Sequence, residues 1–325
     1  MTNIRTVAAH AGVSPSTVSR AFARPEVVAE EARRRVFAAA AELGYQPNPV
    51  ARSLAMGRTG NLGVIVPDIA NPFFTPLIKE VQREARHRER SLFVADSDEH
   101  VRQELDVALA MARQVDGLVL ASSRLPEEDV RAVAALTPVV TVSRVVDGVP
   151  AVATPSDQGI GQAVDHLVAL GHRRLAYLGG PEESYMTPER HGALHAAAAR
   201  RGLEVVDLGP FQPRYEPGVR AADLVMAEDV TAVLAYNDQI ALGVVNRLTE
   251  RGVRVPDQVS VLGIDDSWIA ALTQPALTSV RVPVGRAGAV AVRMLAEPAP
   301  GAGTTPRESL ATELIVRAST GPAPR

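Results

Sequence analysis

From Leu62 onward, short runs rich in β-branched and aliphatic residues alternate with amphipathic stretches. The runs are Leu62–Val66, Ser91–Ala95, Gly117–Ala121, Val139–Ser143, Leu175–Leu178, Ala232–Ala235 and Ser260–Ile264. Between them lie stretches of helical periodicity such as Pro76–Arg88, Val101–Gln114, Gly159–Leu170 and Asp238–Arg251. Near-continuous apolar strands separated by helices predict parallel sheets covered on both faces. Seven such runs exceed one compact sheet, so the pattern predicts two similar subdomains with a cleft between them, although no sequence repeat is visible.

In doubly wound sheets ligands sit beyond the carboxyl ends of the strands. The residues there are Asp68 with Asn71-Pro72-Phe73-Phe74 after the first strand, Ser122 after the third, Arg144 after the fourth, and Asn237-Asp238 and Asp265-Asp266 after later ones. Carboxylate, amide and guanidinium groups beside aromatic faces suit a polyol or sugar, whose hydroxyls want bidentate partners and whose C–H face stacks on a ring. Asn237-Asp238 and Asp265-Asp266 have a second reading, as caps of the helices that follow them. Tyr185, Tyr236 and the lone Trp268 either line the cleft or belong to the packing and the rim.

The first sixty residues differ in character. The chain of 325 residues carries a net charge of −3, yet Met1–Gly60 holds eight Arg and four acids, a surplus of about +4. A local basic surplus is the footprint of a phosphate-binding head. Asn3 can cap a helix with Ile4, Val7, Ala8 and Ala11 on one face, and Gly12-Val13 ends it. Ser14 as N-cap and Pro15 in the first turn start a second helix at once, and so short a connection predicts a helix-turn-helix. Val18 and Phe22 face inward, while Pro15, Ser16, Thr17, Ser19 and Arg20 present small polar groups and one long donor outward. Small residues permit close approach to a major groove, and an Arg can bond two acceptors on guanine. A third helix is predicted over Ala29–Leu43, with Val36, Phe37, Ala40 and Leu43 turned inward and Gly44 as its stop. Asn48 can cap and Pro49 open a short helix reaching Met56, below the ~12 to 15 residues that stand alone in water.

These strings resemble the LacI/GalR family of bacterial regulators: Ala11-Gly12-Val13-Ser14-Pro15-Ser16-Thr17-Val18-Ser19-Arg20, Leu43-Gly44-Tyr45-Gln46-Pro47-Asn48 and Ala51-Arg52-Ser53-Leu54. Further matches follow in order: Asn71-Pro72-Phe73-Phe74, Gly171-His172-Arg173-Arg174, Asn237-Asp238, Gly263-Ile264-Asp265-Asp266 and Pro275-Ala276-Leu277-Thr278. The resemblance implies an α/β protein with an N-terminal all-α helix-turn-helix head and two periplasmic-binding-protein-like subdomains of doubly wound parallel sheet. Its implied boundaries are residues 1–47 for the head, 48–60 for hinge helix and linker, and 61–325 for an effector-binding and dimerisation domain with crossovers near 154, 280 and 308. It places base readers at Pro15, Ser16 and Arg20, phosphate neighbours at Ser14, Thr17 and Ser19, and hinge contacts at Asn48, Ala51, Arg52 and Leu54, with Leu54 wedged into the minor groove of a homodimer's operator. It places effector contacts at Arg190 and Asp265, with Phe74 as a stacking wall; Asp68, Asn71, Phe73, Ser122, Arg144, Tyr236, Asn237 and Trp268 complete the candidate site. Departures from the family pattern are Ala23 for a common Asn, Ala29 for a Ser or Thr cap, Ala55 after the wedge, Pro155-Ser156 for Asp-Asn, and Ala193-Leu194 for Gly-Phe.

Other chemistry finds little support. The sequence contains no cysteine, which excludes disulfides and thiolate sites. Gly159-Ile160-Gly161 lacks the third glycine of a dinucleotide loop and reads as helix packing. His191 and His195 have metal-compatible spacing but no third ligand in view, and read as a solvated helix face. No nucleophile elbow, zinc-protease motif or phosphate-binding lysine loop occurs, so neither enzyme activity, nor a metal, nor a cofactor is expected. Met1–Arg20 lacks an apolar run with a cleavage site, and no stretch of about 18 apolar residues occurs, so a cytoplasmic location without membrane contact is expected. The expected function is a regulator, most simply a repressor, that binds a pseudo-palindromic double-stranded operator under control of a small carbohydrate-like effector. Two rivals are an orphan DNA-binding regulator without ligand and a sugar-binding module for transport.

Overall fold

The computed structural model describes residues 3–45, 58–297 and 305–324. The chain divides into two compact units, one of Met1–Asn61 with Gln114–Asp116, the other of Leu62–Arg113 with Gly117–Arg325.

The first unit holds helices α1 (Ile4–Ala11), α2 (Pro15–Ala23) and α3 (Glu30–Glu42). The Asn3 side chain accepts from the amides of Arg5 and Thr6, and Gly12, at φ 62°, closes α1 in the left-handed conformation that glycine adopts without strain. Ser14 accepts from Thr17 N and opens α2. Val7, Ala8, Ala11, Val18, Ala21, Val36, Ala39 and Ala40 form the buried core. Phe37, expected to point inward, is 42% exposed and meets Phe22 edge-on with ring centroids 5.1 Å apart. A core built mostly of Ala and Val brings the helices close, leaving a phenylalanine ring at that position room only at the margin. The hinge positions Asn48, Ala51, Arg52 and Leu54 lie outside the described residues.

The second unit takes up all but the first residue of β1 (Asn61–Val66), then α4 (Phe74–His87), β2 (Ser91–Asp96), α5 (Val101–Ala112), β3 (Leu118–Ala121), α6 (Glu127–Ala134), β4 (Val139–Val142) and β5 (Ala151–Ala153). It continues with α7 (Asp157–Ala169), β6 (Arg174–Leu178), α8 (Met186–Arg201), β7 (Glu204–Leu208), α9 (Tyr215–Val225), β8 (Ala232–Ala235), α10 (Asp238–Glu250), β9 (Ser260–Asp265) and β10 (Thr278–Arg281). Then come α11 (Val284–Ala296), β11 (Arg307–Ser309) and β12 (Glu313–Ile315). The strands form two six-stranded sheets, ordered β11-β5-β4-β3-β1-β2 and β12-β10-β9-β8-β6-β7. The two orders are the same path written twice, a structural repeat that the sequence does not display. Every registered pair is parallel except β10 with β12. The chain passes between the sheets after β5, after β10 and between β11 and β12, so α11 packs on α4 of the first sheet.

β1, β3, β4, β6, β8 and β9 are almost wholly buried, as strands covered on both faces must be. Close helix packing is fixed at two glycines: a Cβ on Gly218 would lie 2.2 Å from Ile240 O, and one on Gly243 2.3 Å from Tyr215 O, so α9 and α10 touch backbone to backbone. Gly159 packs likewise, with its hypothetical Cβ 2.4 Å from Val280 Cγ1, which is the helix-packing role expected for the Gly159-Ile160-Gly161 string.

Candidate functional site

On the head, Ser14, Pro15, Ser16 and Arg20 are exposed, and Thr17 and Ser19 are half-buried around the buried Val18. The three hydroxyls form a local net, Ser14 Oγ lying 2.8 Å from both Ser16 Oγ and Thr17 Oγ1. Arg20 folds back along its own helix, its Nε donating to Ser16 O at 3.2 Å. A guanidinium held by one carbonyl and a hydroxyl at 3.3 Å is easily released, since neither partner is charged.

Between the two sheets of the second unit, the carboxyl ends of strands converge on a cavity lined by Asn71, Phe73, Phe74, Ser122, Arg190, Tyr236, Asn237 and Asp265, all candidates from sequence. At its centre Arg190 on α8 meets Asp265 at the end of β9, with Nη2 3.5 Å from Oδ1. Arg190 Nη1 donates to Tyr236 O at 2.5 Å, and its guanidinium carbon stands 4.5 Å from the Tyr236 ring centroid. Both charged groups are buried, at 5% and 6% exposure, yet Arg190 Nε has no hydrogen-bond partner among the described residues. Burial pushes the Asp265 carboxyl well above its usual range; the Arg190 charge opposes this and the Asp238 charge adds to it. Asp265 also holds φ 121°, a conformation costly for a residue with a side chain and kept only where the surroundings impose it. Ser122, at φ 47°, is strained in the same sense. Phe73 and Phe74 form a buried edge-to-face pair, centroids 5.0 Å apart, on the opposite wall.

The rest of the polar set serves structure. Asn237 spends its amide on the fold, with Oδ1 capping α10 through Ile240 N and Nδ2 donating to Pro213 O. Asp238 is no cap: buried, it accepts from Ser267 N, Ser267 Oγ and Ser279 Oγ, tying α10 to β10 and to the loop after β9. Three candidates do not line the cavity. Asp68 pairs with Arg214 at 3.3 Å, Arg144 donates to Ser123 O beneath the Tyr185 ring, and Trp268 is 59% exposed. Ser156, in the segment that departs from the family pattern, gives its amide and hydroxyl to Glu189, both at 2.7 Å, and so braces the helix that carries Arg190.

Sequence reasoning missed the residues that bridge the walls. Arg124, two positions past Ser122, is buried, gripped by Glu99 at 2.7 Å, and donates to Ser184 Oγ at 3.1 Å across the cleft; Ser184 Oγ in turn lies 2.7 Å from Tyr236 Oη. Arg214 reaches from the second sheet's side to Asp98 and Asp68 on the first. The signal for Arg124 was its position just past a strand end, the same criterion that picked Ser122. With these bridges formed, the lining residues leave about 30 Å³ of free space.

A helix-turn-helix head with a basic surplus and a two-sheet unit with polar groups at the strand ends define a ligand-responsive DNA-binding regulator. The comparisons agree. Residues 3–48 match the model of bacterial regulatory proteins of the lacI family, and residues 164–320 that of the periplasmic binding protein-like domain. Catabolite control protein A of Priestia megaterium is 32% identical over 298 residues, covering 89% of this chain and 90% of that protein. A lac repressor dimer bound to operator and the anti-inducer ONPF superposes with a TM-score of 0.86 at 28% identity, covering 98% and 99% of the two chains. A complex of the transcriptional regulator CelR with cellobiose gives 0.70 at 30% identity over 98% and 100%. The chain belongs to the LacI family of bacterial transcriptional regulators. No helix among the described residues is long and apolar enough to cross a membrane.

Proposed function

We propose that the chain acts in the cytoplasm as a homodimeric repressor, whose grip on a pseudo-palindromic operator is set by a carbohydrate bound between Arg190, Asp265 and the Phe73–Phe74 wall. The observation that carries this is the under-partnered Arg190–Asp265 pair. An ion pair taken out of water is costly unless further hydrogen bonds complete it, and here a guanidinium N–H and most of a carboxylate remain available. A polyol supplies hydroxyls that donate to the carboxylate and accept from Nε at once. The cellobiose complex of the related regulator is in keeping with that ligand class. In this reading Pro15, Ser16 and Arg20 read the major groove, Ser14, Thr17 and Ser19 contact phosphates, and residues 48–60 with Asn48, Ala51, Arg52 and Leu54 form a hinge that transmits the angle between the two sheets. The sensor spans residues 61–325.

The test is a thermal-shift panel of mono- and disaccharides, nucleosides and sugar phosphates on the full chain, repeated with Arg190→Ala. A ligand at one hundred times its dissociation constant adds about 2.7 kcal/mol of stability, and Arg190→Ala should remove the response. One observation favours the orphan reading instead, the small free volume of the closed cleft. A silent panel, with operator binding indifferent to every compound, would establish the orphan and reject the carbohydrate.

A further inference from the structure

Away from the cleft, the fold supplies the third ligand that the sequence pattern of His191 and His195 lacks. The two histidines are one turn apart on α8, and their rings face each other with centroids 4.2 Å apart. Strand β7 lies alongside and presents Asp207 to both: His191 Nε2 is 3.3 Å from Asp207 Oδ1, and His195 Nε2 is 3.0 Å from Asp207 Oδ2. All three donor atoms fall within 4.8 Å of one another. Ligands at the Zn–N and Zn–O distance of about 2.1 Å stand about 3.0 to 3.4 Å apart along the edge of an octahedron or tetrahedron. The two nitrogen–oxygen separations match those edges, and the two Nε2 atoms lie within 4.8 Å of each other, a gap that side-chain rotation can close around an ion.

We propose that His191, His195 and Asp207 form a site for a divalent transition-metal ion of the zinc and nickel class. Two imidazoles and one carboxylate are the donor set these ions favour over calcium or magnesium, which prefer all-oxygen shells. Without the ion, His195 Nε2 is hydrogen-bonded to both oxygens of Asp207, at 3.1 and 3.0 Å, while His191 Nε2 stands 3.3 Å from Oδ1. When a metal binds, any proton on Nε2 moves to Nδ1, the Nε2 lone pairs turn to the ion, and Asp207 exchanges its contact with the His195 ring for a metal bond. A second feature sits beside the cluster. His191 and Asp207 border a surface pocket of about 390 Å³, whose wall includes Glu182, Thr187 and Tyr177. Tyr177 is 1% exposed and packs against the His191 ring at 6.1 Å, and its hydroxyl has no hydrogen-bond partner among the described residues. The pocket gives the ion's remaining coordination positions access to water or to a small ligand. Because His191 follows Arg190 directly, an ion here would also clip the helix carrying the cleft arginine to its neighbouring strand.

The experiment is isothermal titration of the full chain, freed of metal with EDTA and dialysed, with zinc chloride and with nickel chloride at pH 7.5. The expected result is one ion per chain with a micromolar dissociation constant, weakened at least tenfold by His195→Ala and by Asp207→Asn. His87→Ala, an exposed histidine on another helix, should bind as wild type does. All three positions of the cluster are about 40 to 50% exposed, so these variants should keep the wild-type circular dichroism. Cobalt substitution gives an independent reading, since visible d–d bands should appear in the wild type and vanish in His195→Ala. Binding well below one ion per chain, or affinity lost in His87→Ala and kept in His195→Ala, overturns the site.

Discussion

Asp238 and Asp265 end as buried carboxylates on neighbouring elements, and they differ in what they hold. Asp265 faces the cleft with one loose cationic partner, whereas Asp238 faces away and accepts three hydrogen bonds from two serines. Even so, burial pushes the Asp238 carboxyl from 3.8 up to about 6, its three hydrogen bonds pulling the other way and the charge of Asp266 adding a little. A carboxyl that holds its proton more tightly in the fold than in the unfolded chain favours the fold most at low pH. Its contribution is complete below about pH 4 and is lost as pH rises through about 6, a change on the order of 3 kcal/mol. Asp238→Asn keeps the shape and most of the hydrogen bonds but cannot ionise. Relative to the wild type, the variant should therefore gain stability in urea titrations as the pH is raised from 4 to 7.5. Parallel profiles for the two proteins would show that Asp238 does not titrate in this window.

At the scale of elements, the three head helices begin in unequal ways. Asn3 and Ser14 cap α1 and α2 with side-chain oxygens, while Ala29 precedes α3 without a side-chain cap. Glu30 and Glu31 compensate in part, as negative charge in a first turn is stabilising. The backbone at Ala29 is already extended, φ −54° and ψ 136°, so Ala29→Ser should add a cap worth about 0.5 to 2 kcal/mol. Amide exchange of Glu31, Ala32 and Arg33 should slow accordingly; unchanged exchange would mean that the first turn of α3 is not where the head opens. The same capping logic made the head legible in sequence, from Asn3 to Gly12 and again at Ser14-Pro15. Buried parallel strands were legible because continuous apolar runs have few other homes: Val139–Ser143 was expected and Val139–Val142 is found. What escaped has physical reasons. β5, β11 and β12 span three residues each, too few for any period to show. β7 is an edge strand whose Glu204 and Asp207 face water, so its composition resembles a loop. The amphipathic period shows from Pro76, but the Asn71 side chain accepts from Phe73 N and the helix begins at Phe74. Asp207 beside His195 was invisible for a further reason, because only β6 pairing with β7 brings strand and helix together.

For the whole sensor unit, the closed cleft is a balance between bridges and buried charge. Among the described residues two hydrogen-bonded bridges span it, Arg214 with Asp98 and Asp68 at the rim, and Arg124 through Ser184 to Tyr236 within, and Arg144 stacks 5.8 Å from the Tyr185 ring. The rim bridge is half-exposed and so contributes about 1 kcal/mol or less, falling with salt. The inner one is buried, and Glu99 holds Arg124 against the cost of leaving water. On the proposed function, a carbohydrate finds only about 30 Å³ free between the walls, so opening would precede binding, and the rim pair is the part that water can reach first. Arg214→Ala should therefore raise the open population by up to about fivefold, the equivalent of 1 kcal/mol, without touching a cavity-lining side chain. Hydrogen exchange of the ligand-free chain reads this directly: peptides spanning residues 121–126 and 182–187 should exchange up to about fivefold faster in the variant, while peptides from β1 and β9 stay unchanged. Raising the ionic strength of the wild type should reproduce part of the same acceleration, because screening weakens an exposed pair before a buried one. Equal exchange in variant and wild type at both salt levels would place the closing force in the inner contacts and not at the rim pair.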